Sequence, residues 1–437
     1  MGKIEVEKFL NIIEQKYNLH INFDVILVTG TSGKTTTSHY INLILQNFTN
    51  LKIGLFSKPH ITNITERIRI NYVPIKENQL EQIQSFVKSI NQEHNLNFSW
   101  FDELVSIAII YFIKEKIDLA IFEIGIGGLK DSTNALKSII NVITNIGLEH
   151  TDILGKTIKE IAQQKAGIIK NKSIVVTNAT KGLKQIKEKA KQTNSKIYKP
   201  TNFFKIEKIN SQFPSYTYKI KLKTETWKTD LFNKKELTLK FNTYYLVENF
   251  LIALTTSLLY CQEKKINTRF DNLQNCVDSM DVKLKTQIFE YYDKKIIIDT
   301  AKDYQSLLKL FKELFTRINQ KFAVILSFSK GKELKLIKKL LLNLLEKNIK
   351  LYLSEHSIEE KKLNPYHLKE KLIEKSKKME EKEKLKNLQI ITPLSQIEEE
   401  IKKIEEQIIV ITGSLYFCAE IYNNLLNKRP ENFQVAK

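Results

Sequence analysis

The sequence is poor in cysteine and has no long apolar segment. Its three cysteines, Cys261, Cys276 and Cys418, have neither the density of a disulfide scaffold nor the spacing of a metal site. We therefore expect reduced core cysteines in a cytoplasmic protein. No apolar run approaches the roughly 20 residues that cross a bilayer, so no membrane partner is expected. The first residues, MGKIEVEKFLNIIEQ, are charged and amphipathic, unlike a secretory signal.

Arginine is also scarce, although the formal net charge is +20. Only five of the 69 basic residues are arginine, and the lysines are spread over the chain. Proteins that read nucleic acids favour arginine, because its guanidinium group makes bidentate contacts with bases and phosphates. We therefore expect no nucleic-acid partner, while the positive field can assist the binding of polyanionic ligands.

The first part of the chain alternates between strand and helix patterns. Apolar strands are predicted at 25–29, 51–57, 117–124 and 139–146, and helices at 1–18, 36–48, 100–116 and 157–169. This order is typical of an α/β domain built on a parallel sheet. Alternating polar and apolar residues in 202–241 indicate an antiparallel flank, and a helix at 244–262 closes the domain.

A second, smaller α/β unit follows, which is Rossmann-like in outline but has no G-x-G-x-x-G motif. The segment KKIIIDT predicts a strand that leads to Asp299, and further strands are predicted at 322–328, 348–354, 388–393 and 407–414. The Lys- and Glu-rich stretch 357–388 indicates a solvent-exposed helix pair. With 437 residues there is room for two or three domains, and we expect an N-terminal domain over 1–285, a linker over 286–293 and a C-terminal domain over 294–437.

The most informative segment is VILVTGTSGKTTT at 25–37. A buried strand runs into small residues and a hydroxyl-rich helix start, which cradle phosphates with backbone N–H groups. The pattern G-x-x-x-x-G-K-[ST] is incomplete, since its first glycine falls on Val28. Lys34 can reach terminal phosphates, and Thr35 or Thr36 can ligate Mg²⁺. The predicted nucleotide site comprises Gly30, Thr31, Ser32, Gly33, Lys34, Thr35 and Thr36; the alternative is a glycine-rich turn without a ligand.

Two further side chains follow predicted strands. Glu123 ends the strand IDLAIFE, and His150 follows IINVITNI after a short turn. Parallel sheets bind ligands at the carboxyl ends of their strands, and Mg²⁺ prefers oxygen ligands, so Glu123 is placed to ligate a metal ion. The position of His150 favours a metal or phosphate role. As alternatives, Glu123 caps the next turn and His150 is structural, while spacing alone assigns no role to Lys165.

Four segments of the chain form a specific pattern in a fixed order. They are IGLFSKPHITNITERIRIN, FEIGIGGLKDSTN, TNIGLEHTDILGKTIKEIAQQKAGIIK and VITGSLYF, at 53–71, 122–134, 144–170 and 410–417. Together they resemble the folylpolyglutamate synthase/dihydrofolate synthase family, within the Mur ligase superfamily. The resemblance is dense from Val25 to Lys170 and thin in the C-terminal part. It implies a P-loop parallel-sheet ATPase domain followed by a smaller Rossmann-like C-terminal domain.

The resemblance also implies an activity, the ATP-dependent ligation of L-glutamate. In that family ATP phosphorylates the carboxylate of a folate or of dihydropteroate. The amino group of L-glutamate then attacks the acyl phosphate, and ADP and phosphate are released. The implied ligands are therefore ATP, Mg²⁺, L-glutamate, and dihydropteroate or a tetrahydrofolate polyglutamate. We expect a monomer that acts in folate biosynthesis.

The resemblance further implies roles for individual residues. Lys34 and Thr35 or Thr36 would hold the β- and γ-phosphates and one Mg²⁺, while a second Mg²⁺ would be held by Glu123, His150 and a carbamylated Lys165. Lys34, Glu123, His150 and Lys165 are thus the predicted catalytic residues. The residues that would extend the ATP site are Asn249, Lys283 and Asp299. Those that would bind the pterin or folate are Pro59, His60, Asp131 and Asn134.

Several positions depart from the family pattern. Lys58 stands where the family has a serine that ligates Mg²⁺, Leu129 and Lys283 replace arginines, and Lys302 replaces a histidine. A second reading is therefore a diverged Mur-ligase-like protein that binds ATP with an altered or lost amino-acid acceptor. A reading of another class is a P-loop regulatory or nucleic-acid-binding ATPase. The combined retention of Glu123, His150 and Lys165 favours an active ligase.

Overall fold

The chain forms two units in a computed structural model. The structure describes residues 2–60, 62–210, 216–223, 236–241, 243–267, 273–279, 284–330, 334–374, 385–428 and 434–435. The first unit comprises residues 1–209 and 217–281. The second unit comprises residues 282–437 and the short segment 210–216.

Up to residue 281, helices and strands alternate along most of the chain. The helices are α1 (Gly2–Tyr17), α2 (Lys34–Phe48), α3 (Glu77–Glu93), α4 (Trp100–Lys114), α5 (Thr151–Leu154), α6 (Ile158–Ala166), α7 (Leu183–Gln192), α8 (Pro200–Phe203), α9 (Tyr244–Glu263) and α10 (Leu273–Asp278). The strands are β1 (Asp24–Thr29), β2 (Ile53–Phe56), β3 (Ile68–Ile70), β4 (Val73–Pro74), β5 (Leu119–Glu123), β6 (Ile140–Ile143), β7 (Ile174–Thr177), β8 (Lys196–Tyr198), β9 (Phe204–Asn210), β10 (Tyr216–Leu222) and β11 (Glu236–Phe241).

Eight of these strands form one sheet in the order β4-β3-β2-β5-β1-β6-β7-β8. The six strands from β2 to β8 in this order are parallel, whereas β3 and β4 are antiparallel at one edge. Strand β1 lies between β5 and β6, and Val28 pairs with Glu123. Because β1 and β5 are buried along almost their whole length, their apolar residues build the core on both faces of the sheet. The phosphate loop therefore begins at the end of the central strand β1, next to Glu123 at the end of β5.

The start of α2 differs from the prediction by two residues. The helix begins at Lys34 instead of residue 36, because Gly33 adopts a left-handed conformation at the N-cap and ends the loop there. Further along the chain, α9 packs on α2, with the rings of Tyr40 and Phe250 5.3 Å apart between centroids. Strands β9, β10 and β11 form a separate three-stranded sheet, where the alternating pattern predicted a flank.

Helix α9 corrects the expectation that no apolar segment approaches the length of a membrane span. By length and composition it could cross a membrane, the one such helix in the described residues. However, 78% of its most apolar 18-residue window is buried within the protein. Its apolar residues therefore pack in the core of the first unit, where Val247, Phe250 and Leu254 are fully buried.

The second unit contains a seven-stranded sheet in the order β16-β15-β14-β17-β13-β12-β18. Its strands are β12 (Gln287–Tyr291), β13 (Lys294–Ile298), β14 (Phe322–Leu326), β15 (Lys350–Leu353), β16 (Leu388–Ile390), β17 (Ile408–Thr412) and β18 (Gln434–Val435). Its helices are α11 (Tyr304–Arg317), α12 (Leu334–Glu346), α13 (Pro365–Ile373), α14 (Ile397–Lys403) and α15 (Leu415–Lys428). The five strands from β16 to β13 are parallel, and β12 is antiparallel to β13 and β18.

The second unit departs from the sequence-based expectations at the predicted linker and covers part of the predicted helix pair. The predicted linker over 286–293 is wrong for its larger part, because residues 287–291 form β12 and pair with β13. The hydrogen-bonded hairpin makes this segment part of the sheet. Of the helix pair predicted in 357–388, the structure has α13, while residues 375–384 lie outside the described residues. The α/β class predicted for both domains is confirmed by the two sheets, in each of which most strands are parallel.

Candidate active site

The phosphate loop joins β1 to α2 and contains two glycines with positive φ. Gly30 has a φ of 147° and Gly33 a φ of 81°, which side-chain-bearing residues rarely adopt. A Cβ atom on Gly30 would lie 1.8 Å from Thr144 Oγ1, and one on Gly33 would lie 2.3 Å from Asn249 Oδ1. The Lys34 ammonium donates to the Gly30 carbonyl at 2.6 Å. The loop therefore places a cation and a helix N-terminus together, as phosphate binding requires.

Hydroxyl and amide groups anchor this loop to the segment after β6. Thr31 Oγ1 donates to the Gly147 carbonyl at 3.2 Å and accepts from the Gly147 amide at 2.9 Å. The Ser32 amide donates to Asn145 Oδ1 at 3.0 Å, and Asn145 Nδ2 donates to Ser32 Oγ at 2.9 Å. Thr144 Oγ1 donates to the Ser32 carbonyl at 2.6 Å. Through these hydrogen bonds the Thr31 and Ser32 side chains hold the phosphate loop in position.

The next contact connects α2 with the ends of β5 and β2. Thr35 Oγ1 lies 2.9 Å from both Glu123 Oε1 and the Lys58 carbonyl oxygen. The Lys58 amide donates to Glu123 Oε2 at 3.0 Å, and the Lys58 ammonium donates to the Gly125 carbonyl. Thr36, the other predicted hydroxyl ligand, is buried. The structure thus brings Glu123 to the phosphate loop, as its strand-end position predicts.

Lys165 lies in α6, and its side chain is fully buried. Its ammonium donates to the carboxylate of Glu149, which is not among the predicted site residues. His150 follows Glu149 directly, has a positive φ of 44° and occupies the N-cap position of α5. The side chain of His150 is exposed. The structure therefore brings Lys165 to a carboxylate, while the metal-binding role of His150 stays a prediction.

Burial and mutual charge shift the pKa values of these groups. Burial and the neighbouring Lys34 lower the pKa of Lys58 to about 8 and that of Lys165 to about 8. Burial raises the pKa of Glu123, although Lys58 and Lys34 oppose this change. Burial also acts to raise the pKa of Glu149, but Lys34 and Lys165 outweigh it and lower the value. Three lysines and two carboxyl groups therefore share a site withdrawn from water.

The same residues decide how a divalent cation fits. Thr35 Oγ1 beside Glu123 offers oxygen atoms for one hard cation held jointly with a nucleotide. A second cation on Glu123, His150 and Lys165 fits poorly, because Lys165 already pairs with Glu149 and both carboxylate oxygens of Glu123 accept hydrogen bonds. Within the described residues, His, Cys, Asp and Glu side chains form no group of three that could hold a metal ion.

Asp131, a predicted substrate residue, caps a short 3-10 turn after β5. Its Oδ1 accepts from the Thr133 amide at 3.1 Å and from Thr133 Oγ1 at 2.7 Å. Its Oδ2 accepts from the Ile126 amide at 2.9 Å. Burial raises the pKa of Asp131, while these hydrogen bonds act in the opposite direction. In these contacts Asp131 shapes the loop.

Asn134, the second substrate residue predicted in this loop, is almost fully buried. Its Nδ2 donates to the carbonyl oxygens of Leu129 and Gly167 at 3.1 and 3.2 Å. Its Oδ1 accepts from Lys170 Nζ at 2.6 Å. Asn134 therefore connects the loop after β5 to the end of α6. Leu129, which replaces an arginine of the family pattern, is 41% exposed.

Pro59 and His60 follow β2 on a more open side of the first unit. Pro59 is exposed, and His60 Nδ1 accepts from Arg67 Nε at 2.9 Å. Burial and the Arg67 charge lower the pKa of His60. The Arg67 guanidinium lies over the ring of Trp100, 5.0 Å from its centroid, and Trp100 is 54% exposed. This corner presents aromatic and cationic groups at the surface.

The remaining predicted ATP residues fall in different parts of the chain. Asn249 lies in α9 against Gly33, so its amide borders the phosphate loop. Asp299 belongs to the second unit, where its carboxylate accepts from the Thr286 amide at 2.9 Å and the Ala301 amide at 2.8 Å. Lys302 is exposed nearby in the chain. Lys283 lies outside the described residues.

Comparison with known sequences places these features in a family. The family model of the Mur ligase middle domain matches residues 28–257, more than half of the 437 residues. The chain belongs to the Mur ligase family. A second model, the C-terminal domain of dihydrofolate synthetase, matches residues 282–424 of this Mur ligase family member.

Individual relatives are similar over different lengths. The dihydrofolate synthase/folylpolyglutamate synthase of Bacillus subtilis is 39% identical over 158 residues, which cover 35% of this chain and 36% of the relative. The match thus spans about a third of the length of the curated relatives. The crystal structure of folylpolyglutamate synthase from Thermotoga maritima has a TM-score of 0.77 at 21% identity, covering 98% of this chain and 94% of that one.

A third similar protein is a bifunctional folylpolyglutamate synthase/dihydrofolate synthase, solved with manganese, AMPPNP and L-glutamate bound. Its TM-score is 0.77 at 20% identity, covering 97% of this chain and 94% of that chain. These structures establish that the two α/β units have the Mur ligase architecture, as the sequence predicted.

Several residues of this Mur ligase fold complete the site without having been predicted. Glu149 pairs with Lys165, and Asn145 holds the loop at Ser32. His39 lies between the hydroxyls of Tyr72 and Ser57, 2.7 and 3.2 Å away. The position of Glu149 directly before His150 is a signal that could have identified it. The role of His39 depends on tertiary contacts and has no such signal.

Proposed function

We propose that the protein is an ATP-dependent ligase that joins L-glutamate to the carboxylate of a folate or of dihydropteroate. The observation that carries the proposal is the phosphate loop with Lys34 at the start of α2 and Thr35 bonded to Glu123. The names of the relatives, and the AMPPNP and L-glutamate bound to one of them, support these substrates.

The chemistry explains why such a loop is needed. A carboxylate is a poor electrophile, so ATP first converts it to an acyl phosphate, and the amine of L-glutamate then displaces phosphate. Lys34 would neutralise charge on the transferred phosphoryl group, and the α2 N-terminus would bind phosphate oxygens. When bound at Thr35 and Thr36, Mg²⁺ supplies further charge neutralisation.

The predicted ATP and substrate residues outside the phosphate loop differ in how strongly their contacts support a role in the reaction. The contact of Asn249 with Gly33 supports a place at the nucleotide. Exposed Pro59, next to the partly buried His60, supports contact with the folate or dihydropteroate. Asp131 and Asn134 would act by shaping the loop after β5. Roles for Asp299 and Lys283 at ATP rest on the family resemblance.

Carbamylation of Lys165 is a finer part of the proposal. Complete burial supports it, because the burial of Lys165 and its neighbour Lys34 lower the pKa of its amine to about 8, which raises the neutral, CO₂-reactive fraction. Electron density beyond Nζ in a crystal structure would support the modification, and density that ends at Nζ would contradict it. We also infer a cytoplasmic monomer without a nucleic-acid or membrane partner.

The proposal is tested by measuring ADP release with each acceptor separately. We expect turnover that requires Mg²⁺, L-glutamate and either dihydropteroate or a tetrahydrofolate. Omission of L-glutamate or of the acceptor is the matched control. Turnover that is indifferent to all acceptors would contradict the ligase and leave a nucleotide-binding protein with a lost acceptor.

A further inference from the structure

Lys58 is held beside the phosphate loop by both its main chain and its side chain. Its amide donates to Glu123 Oε2 at 3.0 Å, and its carbonyl oxygen lies 2.9 Å from Thr35 Oγ1. Its ammonium donates to the carbonyl of Gly125, just after β5. The contacts of Lys58 with Thr35, Glu123 and Gly125 therefore fix the position of its positive charge.

The carboxylates of the site already have partners in the chain. Glu123 accepts one hydrogen bond on each oxygen, from Thr35 and from the Lys58 amide. Glu149 accepts from the buried ammonium of Lys165. A divalent cation bound to Glu123 would have to displace these hydrogen bonds and lie near the Lys58 ammonium, which is held at the Gly125 carbonyl. Both changes oppose binding, since like charges repel strongly in a site withdrawn from water.

Carboxylates and one further lysine surround the Lys58 ammonium. Its negative neighbours are Glu123, Asp131 and Glu149, and its positive neighbour is Lys34. The ammonium is thus matched by carboxylates from the end of β5 and from the loops that follow β5 and β6. Lys58 therefore brings a positive charge of the chain to the carboxylates that a second metal ion would otherwise balance.

We propose that the ammonium of Lys58 takes the place of a second divalent cation, so that the site uses one divalent cation, bound together with the nucleotide. This inference rests on the proposed nucleotide site and concerns how its charge is balanced. Lys58 then acts beside Lys34 on the phosphate groups, and Glu123 orients Thr35 and the Lys58 main chain.

The test counts metal ions without using activity. The protein is saturated with AMPPNP, and bound Mn²⁺ per bound nucleotide is measured by electron paramagnetic resonance and isothermal titration calorimetry. We expect one Mn²⁺ for the unmodified protein and for Lys58→Arg, which keeps the charge. For Lys58→Ser, which removes the charge and offers an oxygen atom, we expect two. Two Mn²⁺ ions on the unmodified protein would overturn the inference, as would a folded Lys58→Ser variant that binds only one.

The same measurements distinguish a failure of this inference from a failure of the proposed function. Binding of AMPPNP with two Mn²⁺ ions would overturn the role of Lys58 and leave the proposed function intact. Failure of AMPPNP to bind would overturn the proposed function and this inference together. Because the unmodified protein gives a decisive count, the test does not depend on the folding of any variant.

Discussion

At the scale of single residues, Lys34 and Glu123 make the clearest prediction. Lys34 supplies charge to the phosphates, and Glu123 holds Thr35 and the Lys58 amide. Lys34→Ala and Glu123→Gln should each reduce acceptor-dependent ADP release at least about 100-fold, because preorganised charge stabilisation is worth roughly 3 kcal/mol or more. The measurement is kcat/KM for ATP at saturating L-glutamate and acceptor.

An exposed lysine outside the site provides the control for this experiment. Lys187 lies on the surface of α7, so Lys187→Ala should keep the turnover of the unmodified protein. Circular dichroism should show the same folded content for all variants. Near-normal turnover in Lys34→Ala or Glu123→Gln would remove that residue from the proposed machinery.

The residues that could be predicted from sequence are those with a strong local signal. Glu123 ends an apolar strand, and Lys34 follows two glycines, so their placement follows from strand and loop patterns. The Lys165–Glu149 pair joins two residues that spacing alone does not connect. Likewise, Lys58 contacts Glu123 across 65 positions of the chain, a distance that local patterns cannot report.

At the scale of elements, a substitution of Asn134 tests whether the loop after β5 has a structural or a substrate-binding role. Asn134→Ala removes two donated hydrogen bonds and leaves the ammonium of Lys170 without its amide acceptor. We expect a loss of about 2–4 kcal/mol in the free energy of unfolding, as buried polar groups lose their partners. Urea denaturation measures this change, with the exposed neighbour variant Lys137→Ala as the control.

The substrate-binding alternative predicts a different result for the same variant. If Asn134 binds the pterin or folate directly, Asn134→Ala should unfold at the same urea concentration as Lys137→Ala and raise only the KM of that acceptor. A stable variant with this selective kinetic defect would therefore contradict the structural role.

The boundaries of elements were less predictable than their existence. The strands around the phosphate loop match the apolar segments, but α2 begins two residues early because Gly33 takes a left-handed φ. Residues 287–291 were predicted as part of a linker, although three of them, Ile288, Phe289 and Tyr291, are apolar or aromatic. They form β12 because pairing with β13 supplies the hydrogen bonds, a tertiary effect that sequence periodicity does not contain.

At the scale of the whole molecule, helix α9 shows how composition can mislead. Its 20 residues have the length and hydropathy of a membrane span, yet most of them are buried inside the first unit, to which α9 belongs. A helix that is apolar on nearly all sides is what a large α/β core requires. Its Asn249 breaks the apolar pattern at the point where α9 meets the phosphate loop.

The net charge of +20 allows a test that separates the proposed ligase from a nucleic-acid-dependent ATPase. Dispersed lysines attract nucleic acid without specificity, so binding to duplex DNA should fall steeply between about 50 mM and about 200 mM salt. ATP turnover should not rise when DNA is added, because DNA supplies no carboxylate acceptor for the proposed reaction. The measurement compares ADP release with DNA, with acceptor and L-glutamate, and with neither. Turnover that DNA stimulates without any acceptor would contradict the ligase and favour the other class.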